Sequence, residues 1–416
     1  MSSGSPVSAF SPPSSLYVHV PFCGSFCRYC DFYSVAAGGM SASSISAVVD
    51  ATVLRARSLA ERFGAEKFST IYVGGGTPTA LPLHLLERLL EGLKPMAAPG
   101  CEWTVEANPD SLGPKQIELF RRCGLTRVSV GVQSLDGEDL AVLGRSHTAE
   151  AALSALRLCV DSGLATSADL IAGIPSDGPP DRLADSVRRL LDLGIGHLSI
   201  YDLTLEEGTP LYDSVSRGEL RLPGADAQYA SWSLARQVLE RAGFRRYEVS
   251  NFAAPGLESL HNLGYWRLLS YIGAGPGAVS TLVGRPGGAG QALRIEEGRD
   301  AVAYADGPGA METRISPRDA AFELIMMSFR TIFGLDLDDF SARFGRDPTE
   351  LLRNTLAAWK AHLRPGERAP GELGARRRVA LDQGGIDILN RFLEDCLGEI
   401  HERYPQAEDS REPTPG

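Results

Sequence analysis

No apolar run in the 416 residues approaches the roughly 18 to 20 that a membrane helix needs, so no spanning segment is expected. Positive charge is in deficit. Lys and Arg total 41 against 52 Asp and Glu, a net charge of −11, which argues against phosphate-driven binding of nucleic acid. Disulfide-like cysteine pairing is missing as well. Cys101, Cys123, Cys159 and Cys396 are scattered singly, whereas Cys23, Cys27 and Cys30 fall within eight residues. An odd, clustered set makes a poor disulfide framework and a better metal or redox site in a reducing compartment. The first fifteen residues have neither a basic start nor an apolar block, so they do not read as an export signal, and a cytoplasmic location is expected. There is no repeat of fixed period.

What the chain does contain is an alternation of β-rich and helical patterns. Residues 1–14 (MSSGSPVSAFSPPS) read as a disordered tail and 406–416 as another. Strands are expected at 16–20, 69–73, 102–107, 126–132, 166–174 and 197–203. Helices are expected at 43–63, 81–94, 114–123, 148–163 and 181–193. Six βα units make an α/β fold with a parallel sheet and fall short of the eight that close the usual barrel. An open, partial (β/α)6 barrel over 15–281 follows, with its chemistry in the loops after the strands. A further helix is expected at 225–242. A Gly-rich stretch, 282–298, reads as the divide before a smaller, helical C-terminal domain over 282–405, with a loop or hairpin at 363–385.

The first strand runs into Cys23-Gly-Ser-Phe-Cys27-Arg-Tyr-Cys30, a C-x3-C-x2-C loop. Three thiolates so close can hold three corners of a [4Fe–4S] cube and leave the fourth iron open to a small molecule. The competing reading is a structural zinc site with His19 as fourth ligand, for which the usual second cysteine pair is missing. Gly74-Gly75-Gly76-Thr77-Pro78-Thr79 follows the second strand. Its glycines let backbone approach a ligand closely, and no GK[ST] follows to make it a phosphate loop. Later strand ends carry Glu106 (EANPD), Gln133 (GVQS), Arg145 (LGRSH) and Asp169 (ADLIAGIP), polar groups at successive rims of one expected mouth.

The three-cysteine loop after the first strand resembles the radical S-adenosylmethionine (radical SAM) superfamily. GGGTPT, EANP, GVQS, LGRSH and DLIAGIP in this order resemble the oxygen-independent coproporphyrinogen III oxidase family, from Tyr17 to about Phe392. The resemblance implies a [4Fe–4S] cluster on Cys23, Cys27 and Cys30. It also implies S-adenosylmethionine held by Tyr17, Tyr29, Gly75, Gly76, Thr77, Glu106, Gln133, Arg145 and Asp169, and a winged-helix-like C-terminal domain. Whether a second S-adenosylmethionine binds, as in the oxidase branch, is left open.

Within that family the chain is similar to the heme chaperone branch of the HemW type. Cys30-Asp31-Phe32 stands where oxidases extend the motif with a further cysteine. His261-Asn262-Leu263-Gly264-Tyr265-Trp266 resembles that branch's heme-binding motif, which implies heme contact at His261, Asn262, Tyr265 and Trp266. Imidazole and phenolate are both iron ligands, so the axial role stays open between His261 and Tyr265. The implied partners are heme and recipient hemoproteins. The alternative activity is oxidative decarboxylation of coproporphyrinogen III. Val279 departs from the family's GxGPGAHS, where histidine is usual, and Met326 and Met327 read as core.

Overall fold

The computed structural model describes residues 9–404 apart from 177, 289, 308 and 373. The tail expected at 406–416, and the first eight residues of that expected at 1–14, lie outside the described residues. Residues 9–14 are not tail. Phe10 is buried and bridges Gly284, and Ser11 N–H donates to Val283 O at 2.8 Å.

One twelve-stranded sheet organises the chain. Its strands are β1 (Ser15–Val20), β2 (Phe68–Gly75), β3 (Ala97–Ala107), β4 (Arg127–Gln133), β5 (Ala165–Ala172), β6 (His197–Asp202), β7 (Arg245–Arg246), β8 (Asn251–Ala253), β9 (Tyr271–Ala274), β10 (Val279–Val283), β11 (Ala292–Glu297) and β12 (Ala310–Ile315). The order is β12-β11-β10-β9-β1-β2-β3-β4-β5-β6-β8-β7. From β9 to β6 every pairing is parallel, and both flanks are antiparallel. The end strands β12 and β7 are not neighbours, so the barrel is open along one seam.

Parallel strands covered on both faces carry near-continuous apolar runs, and β1 and β2 show this in Leu16, Val18, Ile71 and Val73, all fully buried. The helix Ala42–Arg62 buries Ile45, Val48, Val49, Val53, Ala56, Leu59 and Ala60, a stripe at three- and four-residue spacing against the sheet. Its N-cap Ser41 accepts from Ser44 N–H at 3.1 Å.

Two differences from the sequence reading bear on the site. A seventh parallel strand, β9, pairs with β1 from Ser15↔Tyr271 to Val18↔Ala274. It is four residues long, with Gly273 inside it and Gly275 after it, too short to show a periodicity. The Gly-rich stretch 282–298 is not a divide: β10 and β11 pair through it from Val279↔Glu296 to Val283↔Ala292. Most of its glycines sit at the hairpin tip, where Gly287 and Gly290 have φ of 78° and 72°.

A second core gathers Tyr247, Leu263, Leu268 and the helices Pro317–Ser328 and Leu389–Arg403. The chain over 363–385 forms the expected hairpin, Leu363–Pro365 against Arg378–Leu381, and Leu335–Asp336 adds a third antiparallel strand. Phe329 is fully buried in this core, its ring 4.6 Å from that of Phe392. Phe329→Ala is expected to destabilise it by about 3–5 kcal/mol. Segment-resolved hydrogen exchange should show protection lost first over 317–400; equal loss in β1–β6 would contradict two separate cores.

Candidate functional site

The cysteine loop leaves the carboxyl end of β1 and is tied down by backbone. Gly76 N–H donates to Val20 O and Thr77 N–H to Phe22 O, both at 2.8 Å, and Val35 N–H donates to Pro21 O at 2.7 Å. Arg28 N–H reaches Leu143 O at 3.0 Å, and its guanidinium donates to Ser214 at 2.7 Å. Cys23, Cys27 and Cys30 are thereby held half-buried, with no disulfide, while the other four cysteines are fully buried. Burial pushes the Cys23 and Cys30 thiols up.

A hydrogen-bonded arc joins two of the sulfurs through Thr77 and Asn108, which follow β2 and β3, and Arg145, which follows the helix Gly137–Leu143. Thr77 Oγ1 lies 3.8 Å from Cys23 Sγ and accepts from Asn108 Nδ2 at 3.1 Å. Asn108 Oδ1 accepts from Arg145 Nη2 at 2.8 Å, and Arg145 Nη1 lies 3.1 Å from Cys27 Sγ. Arg145 Nη2 also donates to Gly131 O at 2.8 Å. Gln133 adopts φ = 65° at a register shift in β4, which is left-handed backbone for a side chain that ordinarily avoids it. A Cβ at Gly131 would sit 2.9 Å from Gln133 Nε2 and 3.3 Å from Asn108 Oδ1, so the amides crowd against that glycine. Asn108 is the member that the motif reading passed over, although EANP contained it.

The glycines of the second strand end are there for space. A Cβ at Gly75, whose φ is 112°, would lie 2.6 Å from the His19 ring. One at Gly76 would lie 2.9 Å from Phe22 O and 3.0 Å from Cys23 Sγ. Deeper in the barrel, half-buried Glu106 accepts from Tyr72 OH at 2.7 Å and Gly75 N–H at 3.0 Å. Desolvation pushes its carboxyl up to about 7. Asp169 accepts from Ser129 at 3.1 Å and is likewise raised by burial. Both carboxylates keep unused lone pairs.

Tyr17 OH bonds His19 Nδ1 at 2.9 Å, and Tyr29 packs against Leu143, Ile171 and Ile174. The other His19 nitrogen, Nε2, lies 3.0 Å from Tyr33 O, so both ring nitrogens are engaged away from the cysteines. Among the described residues no three His, Cys, Asp or Glu side chains converge as for a single metal ion. Three thiols that bind three separate irons have no need to meet at one point.

The 261–266 motif folds as the helix Leu260–Trp266 and divides into two parts. Glu102 accepts from the N–H groups of Leu260 and His261 at 3.0 and 2.8 Å, and Ser259 caps the helix. His261 is 1% exposed; Nδ1 lies 2.8 Å from Thr70 Oγ1 and Nε2 lies 2.9 Å from Tyr265 OH. Burial pushes the imidazole down to about 3, so it is neutral, but both nitrogens are committed inside the protein. The expectation of heme contact at His261 is corrected on this ground: the ring braces the helix against β2.

Asn262, Tyr265 and Trp266 instead line a cavity of about 500 Å³. Its walls come from both sides of the open seam, with Tyr201, Glu248 and Asn251 on one side and Tyr271, Thr281 and Arg294 on the other. Glu323, Met326 and Met327 of the helix Pro317–Ser328 close it. Met326 and Met327 line this cavity, and Met326 also packs against the second core, as was expected of it. Glu248 Oε1, Asn251 Oδ1 and Trp266 Nε1 are buried without a hydrogen-bond partner among the described residues.

The radical SAM superfamily profile matches residues 17–190 and that of the HemN C-terminal domain residues 315–362. Heme chaperone HemW of Escherichia coli (strain K12) is 34% identical over 344 residues, covering 80% of this chain and 87% of that protein. The chain belongs to the radical SAM HemN/HemW family. HemW of Lactococcus lactis is 35% identical over 275 residues, covering 65% and 70%. The mitochondrial radical S-adenosyl methionine domain-containing protein 1 of Mus musculus is 38% identical over 279 residues, 66% of this chain. The match to that protein spans 62% of its length. The solved structure of E. coli coproporphyrinogen III oxidase (HemN) superposes with a TM-score of 0.74 over 94% of this chain and 92% of that one, at 19% identity, and so shares the fold. Val279, the departure from the family's histidine, begins β10 opposite Glu296 and is not among the cavity's lining residues.

Glu106 gives a stability signature. Its folded pKa of about 7 stands above the ordinary carboxyl value, so the folded state binds the extra proton. Stability is expected to fall as pH rises from about 4.5 to 7, by up to about 3 kcal/mol from this group, and to level off above. Urea titrations of the cofactor-free protein read this as the stability difference between wild type and Glu106→Gln, which should fall by up to that amount over the interval. Glu248, also raised to about 7, Asp169 and Glu297 add slope of the same sign, and the imidazoles of His19, His147, His197 and His261, lowered by burial, oppose it. A difference that does not change with pH would contradict the raised carboxyl.

Proposed function

We propose that this chain is a heme chaperone built on a radical SAM barrel. In this reading Cys23, Cys27 and Cys30 hold a [4Fe–4S] cluster, S-adenosylmethionine lies against its open corner, and heme enters the seam cavity for delivery to hemoproteins. The observation that carries it is the cavity of about 500 Å³ walled by Asn262, Tyr265 and Trp266, in a chain whose E. coli HemW relative is matched over 87% of its length. Aromatic walls suit a flat macrocycle, and a few convergent polar groups suit its carboxylates.

The donor set fits the cluster: three free thiols on one loop, a guanidinium beside one sulfur, and a glycine where a side chain would press on another. When bound, the cluster supplies an electron that can be passed to the sulfonium of S-adenosylmethionine. The chain's own residues do the holding. Gly75, Gly76 and Thr77 let backbone approach the ligand, and Arg145 and Gln133 offer donors beside the loop. Glu106 and Asp169 offer carboxylate lone pairs to an ammonium or ribose hydroxyls, while Tyr17 and Tyr29 form aromatic wall. The missing cysteine two residues after Cys30 counts against the oxidase activity of the structural neighbour.

After anaerobic reconstitution, Cys27→Ala is expected to lose iron and acid-labile sulfide while keeping its far-UV circular dichroism. Heme titration of the wild type should change the Soret band. Incubation with coproporphyrinogen III and S-adenosylmethionine should leave the porphyrinogen intact; turnover to protoporphyrinogen IX would overturn the chaperone reading.

A further inference from the structure

The seam cavity raises a question that the 261–266 motif does not answer, namely which group meets the iron. His261 is buried with both nitrogens bonded, and Tyr265 spends its hydroxyl on one of them. Among the described residues no cysteine and no histidine lines the cavity. Tyr271 lies against Tyr265, ring centroids 4.7 Å apart, and its hydroxyl oxygen is 3.2 Å from Thr281 Oγ1. The soft donors left on the wall are the thioethers of Met326 and Met327, side by side on the helix that closes the seam, both only half-buried. Thioether sulfur is an established axial ligand of heme iron, and unbranched methionine adapts to a ligand that must later leave.

Among the described residues the lining carries one cation, Arg294. Arg294 Nη2 donates to Glu323 at 3.0 Å, a pair that spans β11 and the helix Pro317–Ser328. Both residues line the cavity. A propionate entering there would meet the guanidinium in the same planar, charge-assisted way as Glu323 does.

We propose that heme is held in the seam cavity by a thioether of the Met326–Met327 pair on its iron and by Arg294 on a propionate. The inference rests on the heme-binding reading above and adds to it the ligand, the carboxylate anchor and the helix that carries the ligand. Entry of a propionate exchanges the Arg294–Glu323 pair for an Arg294–propionate pair, so the helix Pro317–Ser328 loses one tie to the sheet while it gains one to the cargo. Loading and the grip of the C-terminal helices on the barrel are thereby coupled.

The test is absorbance titration of the purified full-length protein with ferric heme and with heme dimethyl ester, which lacks free carboxylates. The proteins compared are the wild type, Met326→Leu, Met327→Leu, the double leucine variant, Arg294→Leu and Tyr201→Phe. Leucine keeps the methionine volume, and circular dichroism with thermal unfolding checks each fold. Wild type should show the near-infrared charge-transfer band of thioether-ligated ferric heme. One single leucine variant and the double variant should lose it. Arg294→Leu should weaken heme binding roughly ten- to hundredfold, as for a lost charge-assisted hydrogen bond, and leave the dimethyl ester affinity unchanged. A wild-type spectrum in the double variant overturns the proposal, as does loss of iron ligation in Tyr201→Phe alone. Absence of any heme binding by the wild type overturns the chaperone reading itself.

Discussion

A chain of hydrogen bonds, Cys23–Thr77–Asn108–Arg145–Cys27, closes across the mouth of the barrel and fixes where two of the three loop sulfurs stand. Thr77 and Asn108 follow the ends of β2 and β3, and Arg145 follows the helix Gly137–Leu143, so the loop is tied to three later segments of the barrel. The arc closes only because backbone from β1 and β2 comes together without side chains between them. At Gly75 and Gly76 even a methyl group would strike His19, Phe22 or Cys23. At the far end of the chain the Arg145 guanidinium stands 3.1 Å from the Cys27 sulfur. The strained backbone at Gln133 is one more local cost carried at this rim.

The incompleteness of the barrel is the second determinant. Seven parallel strands curve without closing, and the antiparallel strands on either flank leave a lateral seam. Had an eighth βα unit closed the ring, Tyr201, Glu248, Tyr271 and Arg294 would have been interior packing. Instead they face a helix from the C-terminal part, and the space between holds about 500 Å³. The orphaned polar atoms of Glu248, Asn251 and Trp266 all belong to residues of this wall. Buried polar groups without partners are expensive, and a cluster of them beside one cavity marks a place selected for something other than stability.

Much of this was legible in the residues alone. The cysteine spacing, the glycine triplet and the polar strand ends lie on contiguous segments, and the structure brings Thr77, Arg145 and the cysteines together as their order implied. What was not legible depends on direction. Nothing in H-N-L-G-Y-W tells which way the helix turns, and the histidine that reads as a ligand proves to be a brace between Thr70 and Tyr265. Met326 and Met327 have the composition of core residues, and only the open seam turns them toward space. Strand β9 is too short for a pattern. The β10–β11 hairpin was hidden by glycines that serve its tip, and Phe10 was assigned to a tail by the company of serines and prolines around it.

The account depends most on an iron cube gripped by three sulfurs with one corner left to the nucleoside ligand. Mössbauer spectroscopy of the anaerobically reconstituted, iron-57-labelled protein reads this directly. The account predicts that S-adenosylmethionine shifts the isomer shift of one iron in four and leaves the other three together. Four irons that stay equivalent when the ligand is added, or labelled protein that holds no cube at all, would contradict it.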